Sequence, residues 1–153
     1  MYKKPFLVAE ISSNHCGDID LCKKLILNAK KNNADAVKIQ TYTPKCMTLN
    51  SKKKHFMINF GLWKGYNYWD LYKEAHTPIK WHEELFSLAK KNKIKLFSSP
   101  FSSYAVEILE KLNCPIYKLA SFEITDLNLI KTIAETKKSI IISTGCSNIN
   151  EVR

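Results

Sequence analysis

ADAVKIQTY, at residues 34–42, is a short apolar run that carries a lysine and a glutamine. Val37 and Ile39 alternate in it with Lys38 and Gln40, which is the two-residue period of a β-strand. A nearly continuous apolar strand is typical of a parallel sheet that is covered on both faces. The stretch therefore predicts one strand of such a sheet, with its two polar side chains on a common face.

The same pattern repeats on both sides of this stretch, where short apolar runs alternate with segments of helical spacing. One helix is predicted from about Asp18, because Leu21, Leu25 and Ala29 recur every four residues. Residues 42–76 interrupt the alternation with a long excursion rich in lysine and aromatic residues. The other predicted elements are strands at residues 5–11, 95–101, 115–123 and 139–145, helices at 81–89, 104–112 and about 126–135, and a first helical turn within 147–153.

Five strands that alternate with four helices predict an α/β fold with a parallel sheet. We expect an incomplete TIM (β/α)8 barrel, because eight such units need about 250 residues and these 153 residues supply roughly the first five. A doubly wound open sheet also fits the alternation. However, no strand is followed by the glycine motifs with which such sheets bind nucleotides, and the chain has four glycines in all. An unclosed barrel would leave two strand edges unpaired, so we expect the chain alone to be marginally stable or to associate with other copies of itself.

The composition, with 45% hydrophobic and 25% charged residues, is that of a globular domain rather than of a disordered or membrane-spanning chain. The formal net charge of +10 comes almost entirely from lysine, since Arg153 is the one arginine. Arginine binds guanine and phosphate through two parallel hydrogen bonds, which lysine cannot form. Because the charge comes from lysine, we interpret it as a solvated surface and expect no nucleic-acid and no membrane partner. Five widely spaced cysteines predict reduced thiols, and the lack of a signal peptide predicts a cytoplasmic location.

Polar side chains occur at or just after the end of nearly every predicted strand, where a TIM barrel builds its active site. Lys38 and Lys118 are the strongest candidates for a functional role, because an ammonium inside an apolar strand must be paired or lose its proton. If both point inward, they meet at one mouth and form a seat for a small phosphorylated or carboxylated anion. Nearby hydroxyl donors would be Ser99, Ser121 and Ser143.

Other interpretations of these residues stay open. Each lysine could instead pair with a barrel glutamate, such as Glu10 or Glu123. His15 follows the first strand and is either a ligand or general acid, or an ordinary loop residue. The other three histidines lack the spacing of a zinc site. The aromatic residues of the excursion either form a lid over substrate or pack against the barrel.

Five segments spread over almost the whole chain form a series with compatible spacing. They are AEISSNH at residues 9–15, ADAVKIQTY at 34–42, FSSPF at 97–101, YKLASFE at 117–123 and ISTG at 142–145. Together they resemble the sialic acid synthase family. Residues 61–86, GLWKGYNYWDLYKEAHTPIKWHEELF, resemble the pseudaminic acid synthase branch more than the N-acetylneuraminate branch, through their G-L-W, L-Y and T-P-x-x-W-H pieces.

The resemblance implies that residues 1–153 are the N-terminal portion of a TIM-barrel synthase. Such an enzyme condenses phosphoenolpyruvate with an amino-sugar aldehyde to give a nine-carbon keto acid, and releases phosphate. The implied phosphoenolpyruvate ligands are Lys38, Ser99, Lys118, Ser121 and Ser143. Glu10 would contact the sugar, Glu123 would lie by the reaction centre, and the remaining candidate substrate-binding residues are Asn14, His15 and Gln40.

The resemblance also implies components that this chain does not supply. The family's divalent metal, manganese or magnesium, polarises the aldehyde and is held by two histidines of the second half of the barrel. The full-length protein is expected to be a homodimer in which a small C-terminal domain reaches the partner's site. The 153-residue chain alone is therefore expected to be inactive.

Three alternative functions remain at the level of sequence. The N-acetylneuraminate branch would keep the chemistry and change the sugar. An aldolase would use Lys38 or Lys118 as a Schiff-base nucleophile, which borohydride would trap with pyruvate. A basic module for acidic polymers would bind nucleic acid or acidic glycan with steep salt dependence.

Overall fold

A five-stranded parallel sheet with helices between its strands organises residues 4–152, which are the residues that the computed structural model describes. The strands are β1 (Val8–Glu10), β2 (Ala36–Thr41), β3 (Lys95–Pro100), β4 (Ile116–Leu119) and β5 (Ser139–Ile142). The helices are α1 (Ile19–Lys31), α2 (Pro44–Met47), α3 (Tyr68–Ala75), α4 (His82–Lys91), α5 (Ser103–Lys111), α6 (Leu127–Glu135) and α7 (Ile149–Val152). None of these helices is both long and apolar enough to cross a bilayer.

The order of the strands in the sheet distinguishes the two expected topologies. Each strand pairs in parallel with the next strand of the chain, which gives the order β1-β2-β3-β4-β5. A doubly wound sheet reverses its order at a switch point, whereas a barrel adds its strands in sequence. The prediction of an incomplete TIM barrel is therefore confirmed. Within residues 4–152, β1 and β5 are the two edge strands, as expected.

The helices cover one face of the sheet and bury the core between the two layers. Val37 and Ile39 of β2 are fully buried against Ile26 of α1 and Leu85 of α4. A second core cluster contains Leu109, Tyr117, Leu129 and Ile133, and it extends to Phe97, which the register places beside Lys38. Because the outward residues of β2 face these helices, Lys38 and Gln40 lie on the opposite, inner face, as the alternation predicts.

Local capping explains where the first helix begins. The Asp18 carboxylate accepts hydrogen bonds from the backbone N–H groups of Asp20 and Leu21, at 2.7 and 3.3 Å. These N–H groups have no partner within the helix, so an acidic residue at this position stabilises the first turn. The predicted start at about Asp18 is thus confirmed, with Asp18 as the N-cap.

Several predicted strands are shorter in the structure. The strand predicted at residues 115–123 ends at Leu119, and Ser121–Thr125 form a 3₁₀ helix in which the N–H of Glu123 donates to the carbonyl of Ala120 at 3.2 Å. The strand predicted from residue 5 begins at Val8, because the backbone N–H of Leu7 donates to the side chain of Asp35 instead. The last strand ends at Ile142 rather than at residue 145.

The excursion at residues 42–76 contains helices that the sequence analysis did not predict. These are α2, the 3₁₀ turn Lys54–Phe56, and α3, which is capped by the side chain of Asn67. In the described part of the chain, α2 and α3 are thus two α-helices that were not predicted, whereas α7 lies within the helical turn predicted at residues 147–153. Arg153 lies outside the described residues.

Candidate functional site

The register of the strands brings the predicted site residues together on the inner face. Glu10 of β1 lies beside Lys38 of β2, and Gln40 lies beside Ser99 of β3. β3 and β4 pair through the residues just before Ser99 and Lys118, so these two also lie side by side. The row runs along the carboxyl ends of adjacent strands, where a barrel places its active site.

Lys38 is held by an acid and a hydroxyl. Its Nζ lies 2.5 Å from Oε2 of Glu10 and 3.3 Å from Oγ of Ser99. The other carboxylate oxygen of Glu10 accepts a hydrogen bond from the backbone N–H of Ser12 at 3.0 Å. The alternative interpretation, in which a barrel glutamate pairs with the lysine, is thus confirmed for Lys38. Its charge is compensated, although Ser99 is in contact as the anion seat requires.

Lys118 has hydroxyl and carbonyl partners and, within residues 4–152, no ion-paired acid. Its Nζ donates to Oγ of Ser143 and to the carbonyl of Leu119, both at 2.6 Å. Among residues 4–152, no carboxylate comes within ion-pair distance of it. Burial, and after it the charge of Lys38, lower the pKa of Lys118. The charges of the two ammonium groups therefore act on one another, and of the two only Lys38 forms an ion pair among the described residues.

Glu123 and Ser121 lie in the 3₁₀ helix that follows β4. The Oε2 atom of Glu123 is buried and has no hydrogen-bond partner among the described residues. Burial raises the pKa of Glu123, which therefore holds its proton to a higher pH than an exposed glutamate does. The Ser121 hydroxyl accepts a weak hydrogen bond from the thiol of Cys146, which lies 3.7 Å away. The Glu123 carboxyl thus keeps one buried oxygen without a hydrogen-bond partner in the described part of the chain.

Gln40 and the loop after β1 extend this row of residues. Oε1 of Gln40 accepts a hydrogen bond from the hydroxyl of Ser12 at 3.2 Å, while Asn14 is exposed in the same loop. His15 differs from them, because its ring is fully buried and contacts Trp81 edge-to-face at 5.4 Å. Its Nδ1 accepts a hydrogen bond from the N–H of Gly17 at 3.1 Å. A role in substrate binding stays a prediction for Gln40, Asn14 and His15. The buried ring of His15 would first have to become accessible.

A buried polar network on the outer face was missed by sequence reasoning. Oγ1 of Thr41 lies 2.8 Å from Nε2 of His82 and 2.6 Å from Oγ of Ser98. Nδ1 of His82 lies 3.2 Å from the carbonyl of Pro78, so the ring joins β2 and β3 to the start of α4. The strand alternation was the available signal, since it places Thr41 and Ser98 opposite Gln40 and Ser99.

The buried ring of His82 predicts a pH dependence of stability. Burial lowers the pKa of His82 from 6.5 to about 4. The unfolded chain then binds a proton more readily than the folded chain between these two values, so stability is present above pH 6.5 and is lost as the pH falls toward 4. We expect urea unfolding to show a lower free energy of unfolding at pH 4.5 than at pH 7.5.

The His82→Gln variant should show a smaller difference between these two pH values. The exposed His55 supplies the matched control, since His55→Gln should leave the difference unchanged. An identical pH dependence in the His82→Gln variant and the parent chain would show that another group is responsible.

The divalent metal implied by the resemblance does not fit the described residues. Among residues 4–152, no three His, Cys, Asp or Glu side chains come together in a group that could hold a metal ion. A catalytic metal needs about three protein ligands and an open position.

Comparison with known proteins tests the resemblance directly. The sequence profile of the NeuB family matches residues 25–153. The chain belongs to the NeuB family. Among relatives of this family, it is 52% identical over all of its 153 residues to the pseudaminic acid synthase of Helicobacter pylori, and it covers 45% of that protein. It is 46% identical over 150 residues to the pseudaminic acid synthase of Campylobacter jejuni, of which it covers 44%.

Other NeuB-family comparisons are more distant and agree with the fold. The N-acetylneuraminate-9-phosphate synthase of Mus musculus is 28% identical, so the similarity to the pseudaminic acid synthase branch is confirmed. The crystal structure of the N-acetylneuraminic acid synthetase of Leptospira borgpetersenii matches 98% of the chain, with a TM-score of 0.82 and 25% identity. The chain spans less than half the length of these proteins.

Proposed function

We propose that this chain provides the phosphoenolpyruvate-binding part of a pseudaminic acid-type synthase. The observation that carries the proposal is the convergence of Lys38 and Lys118 with the hydroxyls of Ser99 and Ser143 on one inner face. The identity of 46–52% to pseudaminic acid synthases supplies the substrate class. Residues 1–153 would then be the N-terminal portion of the synthase barrel.

The arrangement of donors suits a small phosphorylated or carboxylated anion. Lys38 is compensated by Glu10, so Lys118 supplies the net positive charge of the seat. Charge-assisted hydrogen bonds from an ammonium to phosphate or carboxylate oxygens contribute about 1.5 to 3 kcal/mol each. Ser99 and Ser143 already contact the two ammonium groups and would donate to the same anion. Ser121, in the loop beyond β4, is proposed as a further donor.

The proposed reaction joins the C3 carbon of phosphoenolpyruvate to the aldehyde carbon of the sugar. Water adds at C2, and phosphate leaves as the bond between C2 and the phosphate oxygen breaks, which gives the keto acid. The lysines offset the charge on the phosphate and on the developing intermediate. Glu123, whose pKa burial raises, would hold or move a proton at the sugar oxygen. Positioning the two substrates is the other contribution of these residues.

The remaining components are proposed from the family resemblance. Two histidines that this chain does not supply would hold the divalent metal, manganese or magnesium, and the complete enzyme would be a homodimer. Phosphoenolpyruvate and the amino sugar are the proposed partners, and the cytoplasm is the proposed location.

A chimera tests the proposed function. We suggest replacing the aligned segment of the Helicobacter pylori synthase, 45% of that protein, with this chain. We expect the chimera to release phosphate from phosphoenolpyruvate when a 6-deoxy diacetamido sugar and manganese are present. The parent synthase and a chimera without sugar are the controls. A chimera that folds cooperatively but releases no phosphate would overturn the proposal.

The same chimera separates the synthase from the aldolase. Burial lowers the pKa of Lys118, which is also a property of Schiff-base lysines. We expect no stable adduct when the chimera is treated with pyruvate and borohydride. An adduct at Lys118 would favour the aldolase and contradict the synthase.

A further inference from the structure

A cavity of about 590 Å³ lies between the loop after β1 and the excursion. Ser13 and Gly17 line it on the loop side, and Trp63, Leu71 and Pro78 line it on the excursion side. The cavity is distinct from the seat, because neither lysine of the seat borders it. Nothing in the proposed binding of phosphoenolpyruvate uses this space.

The lining combines an aromatic ring with polar groups at its edge. Trp63 is 45% exposed and packs edge-to-face on Tyr66 at 5.8 Å, so part of its ring is available to a ligand. Lys73 and Glu74 of α3 add a donor and an acceptor to the same lining. A mainly apolar pocket with an aromatic ring and a few polar groups suits an acylated sugar better than a bare anion.

Two walls of the cavity also border the mouth. The loop after β1 contributes Ser13 to the cavity, and its neighbour Ser12 donates to Gln40 at the mouth. Helix α3 contributes Leu71 to the cavity, and the adjacent Tyr72 packs T-shaped on Tyr42, which directly follows β2, at 5.9 Å. A ligand that reaches from the mouth into the cavity would therefore stay in contact with both walls.

The excursion residues that carry the resemblance to pseudaminic acid synthases converge on this cavity. The G-L-W, L-Y and T-P-x-x-W-H pieces carry the resemblance of residues 61–86 to pseudaminic acid synthases. Each piece supplies one lining residue, namely Trp63, Leu71 and Pro78. The segments that carry this resemblance thus meet around one space, although they lie up to 15 residues apart in the chain.

We infer that this cavity is the specificity pocket for the acylated, deoxygenated end of the amino-sugar substrate. The inference rests on the proposed function and names the part of the substrate that this site reads. A second acetamido group and a 6-methyl group present less polar surface than the hydroxyl groups of a monoacetylated sugar. The Trp63 ring and the Leu71 side chain bury that surface, while Lys73 and Glu74 contact the amide.

The test measures substrate selectivity in the chimera. We expect Trp63→Ala and Leu71→Ala each to raise the KM for the 6-deoxy diacetamido sugar about tenfold, as is typical for the loss of apolar contacts in a specificity pocket. The KM for phosphoenolpyruvate should not change, and the preference for this sugar over N-acetylmannosamine should fall. Leu62→Ala is the matched control, since Leu62 adjoins Trp63, is 88% exposed and does not line the cavity.

Two outcomes separate this inference from the proposed function. A chimera that folds cooperatively but is inactive would contradict the proposed function, and the pocket would then be tested by saturation-transfer NMR of both sugars with that chimera. There, acetamido methyl signals that are lost in Trp63→Ala and kept in Leu62→Ala support the pocket. An active chimera whose two pocket variants keep the parent's sugar KM, or equal NMR signals in all three chains, would overturn the inference.

Discussion

Lys38→Ala and Lys118→Ala in the chimera should each weaken phosphoenolpyruvate binding by about 1.5 to 3 kcal/mol, since each removes a charge-assisted hydrogen bond. This corresponds to a loss of roughly ten- to 150-fold in affinity. The effect of Lys118→Ala is the more direct of the two, because Lys118 has no acidic partner among the described residues. Isothermal titration calorimetry with phosphoenolpyruvate alone measures both effects.

The ion pair of Lys38 calls for a matched set of variants. Lys38→Ala leaves Glu10 without its partner, and the uncompensated carboxylate would itself repel the anion. The double variant Lys38→Ala, Glu10→Gln removes this contribution and isolates the loss of the hydrogen bond. Lys95→Ala is the control, since Lys95 is an exposed lysine at the opposite end of β3 from Ser99. Unchanged affinity in both lysine variants would contradict the seat.

The 153-residue chain alone should have no synthase activity, even with both substrates and manganese supplied. Its described residues gather no set of three metal-ligating side chains, and its sheet has open edges at β1 and β5. Ile142 of β5 and Phe122 beyond β4 are 51% and 83% exposed, so apolar surface accompanies an open edge. Such edges and patches favour association between chains.

Phosphate release and dye binding measure this second prediction. We expect no metal-dependent release of phosphate, strong fluorescence of a hydrophobic dye, and elution from a sizing column ahead of a 17.7 kDa monomer. The chimera, in which the rest of a synthase adjoins the chain, should bind less dye. Metal-dependent turnover by a well-folded monomer would show that this chain itself holds the metal, which contradicts the prediction.

The sequence predicts the cycle of strands and helices because each strand is an apolar run with a fixed period. It does not predict where β4 ends, since the turn at Ser121 depends on backbone hydrogen bonds that compete with the sheet. Helix α3 left a usable signal, with Asn67 as its N-cap before an amphipathic segment. This signal was overlooked because the excursion was interpreted from its lysine- and aromatic-rich composition rather than from its helical spacing.

In the site, too, local patterns are predictable from the sequence, whereas contacts between distant segments are not. Alternation along each strand predicts that Lys38 and Lys118 face inward, because that property is local. The pairing of Lys38 with Glu10 is set by the register between β1 and β2, which one sequence leaves undetermined. The burial of His15 likewise depends on Thr77 and Trp81, more than 60 residues away in the chain.

A crystal structure of the chimera with phosphoenolpyruvate tests the central claim most directly. We predict phosphate or carboxylate oxygens within about 3 Å of Nζ of both Lys38 and Lys118, with the Ser99 and Ser143 hydroxyls on the same anion. Phosphoenolpyruvate bound elsewhere, with Lys38 still paired only to Glu10 and Ser99 and Lys118 only to Ser143 and the Leu119 carbonyl, would contradict it.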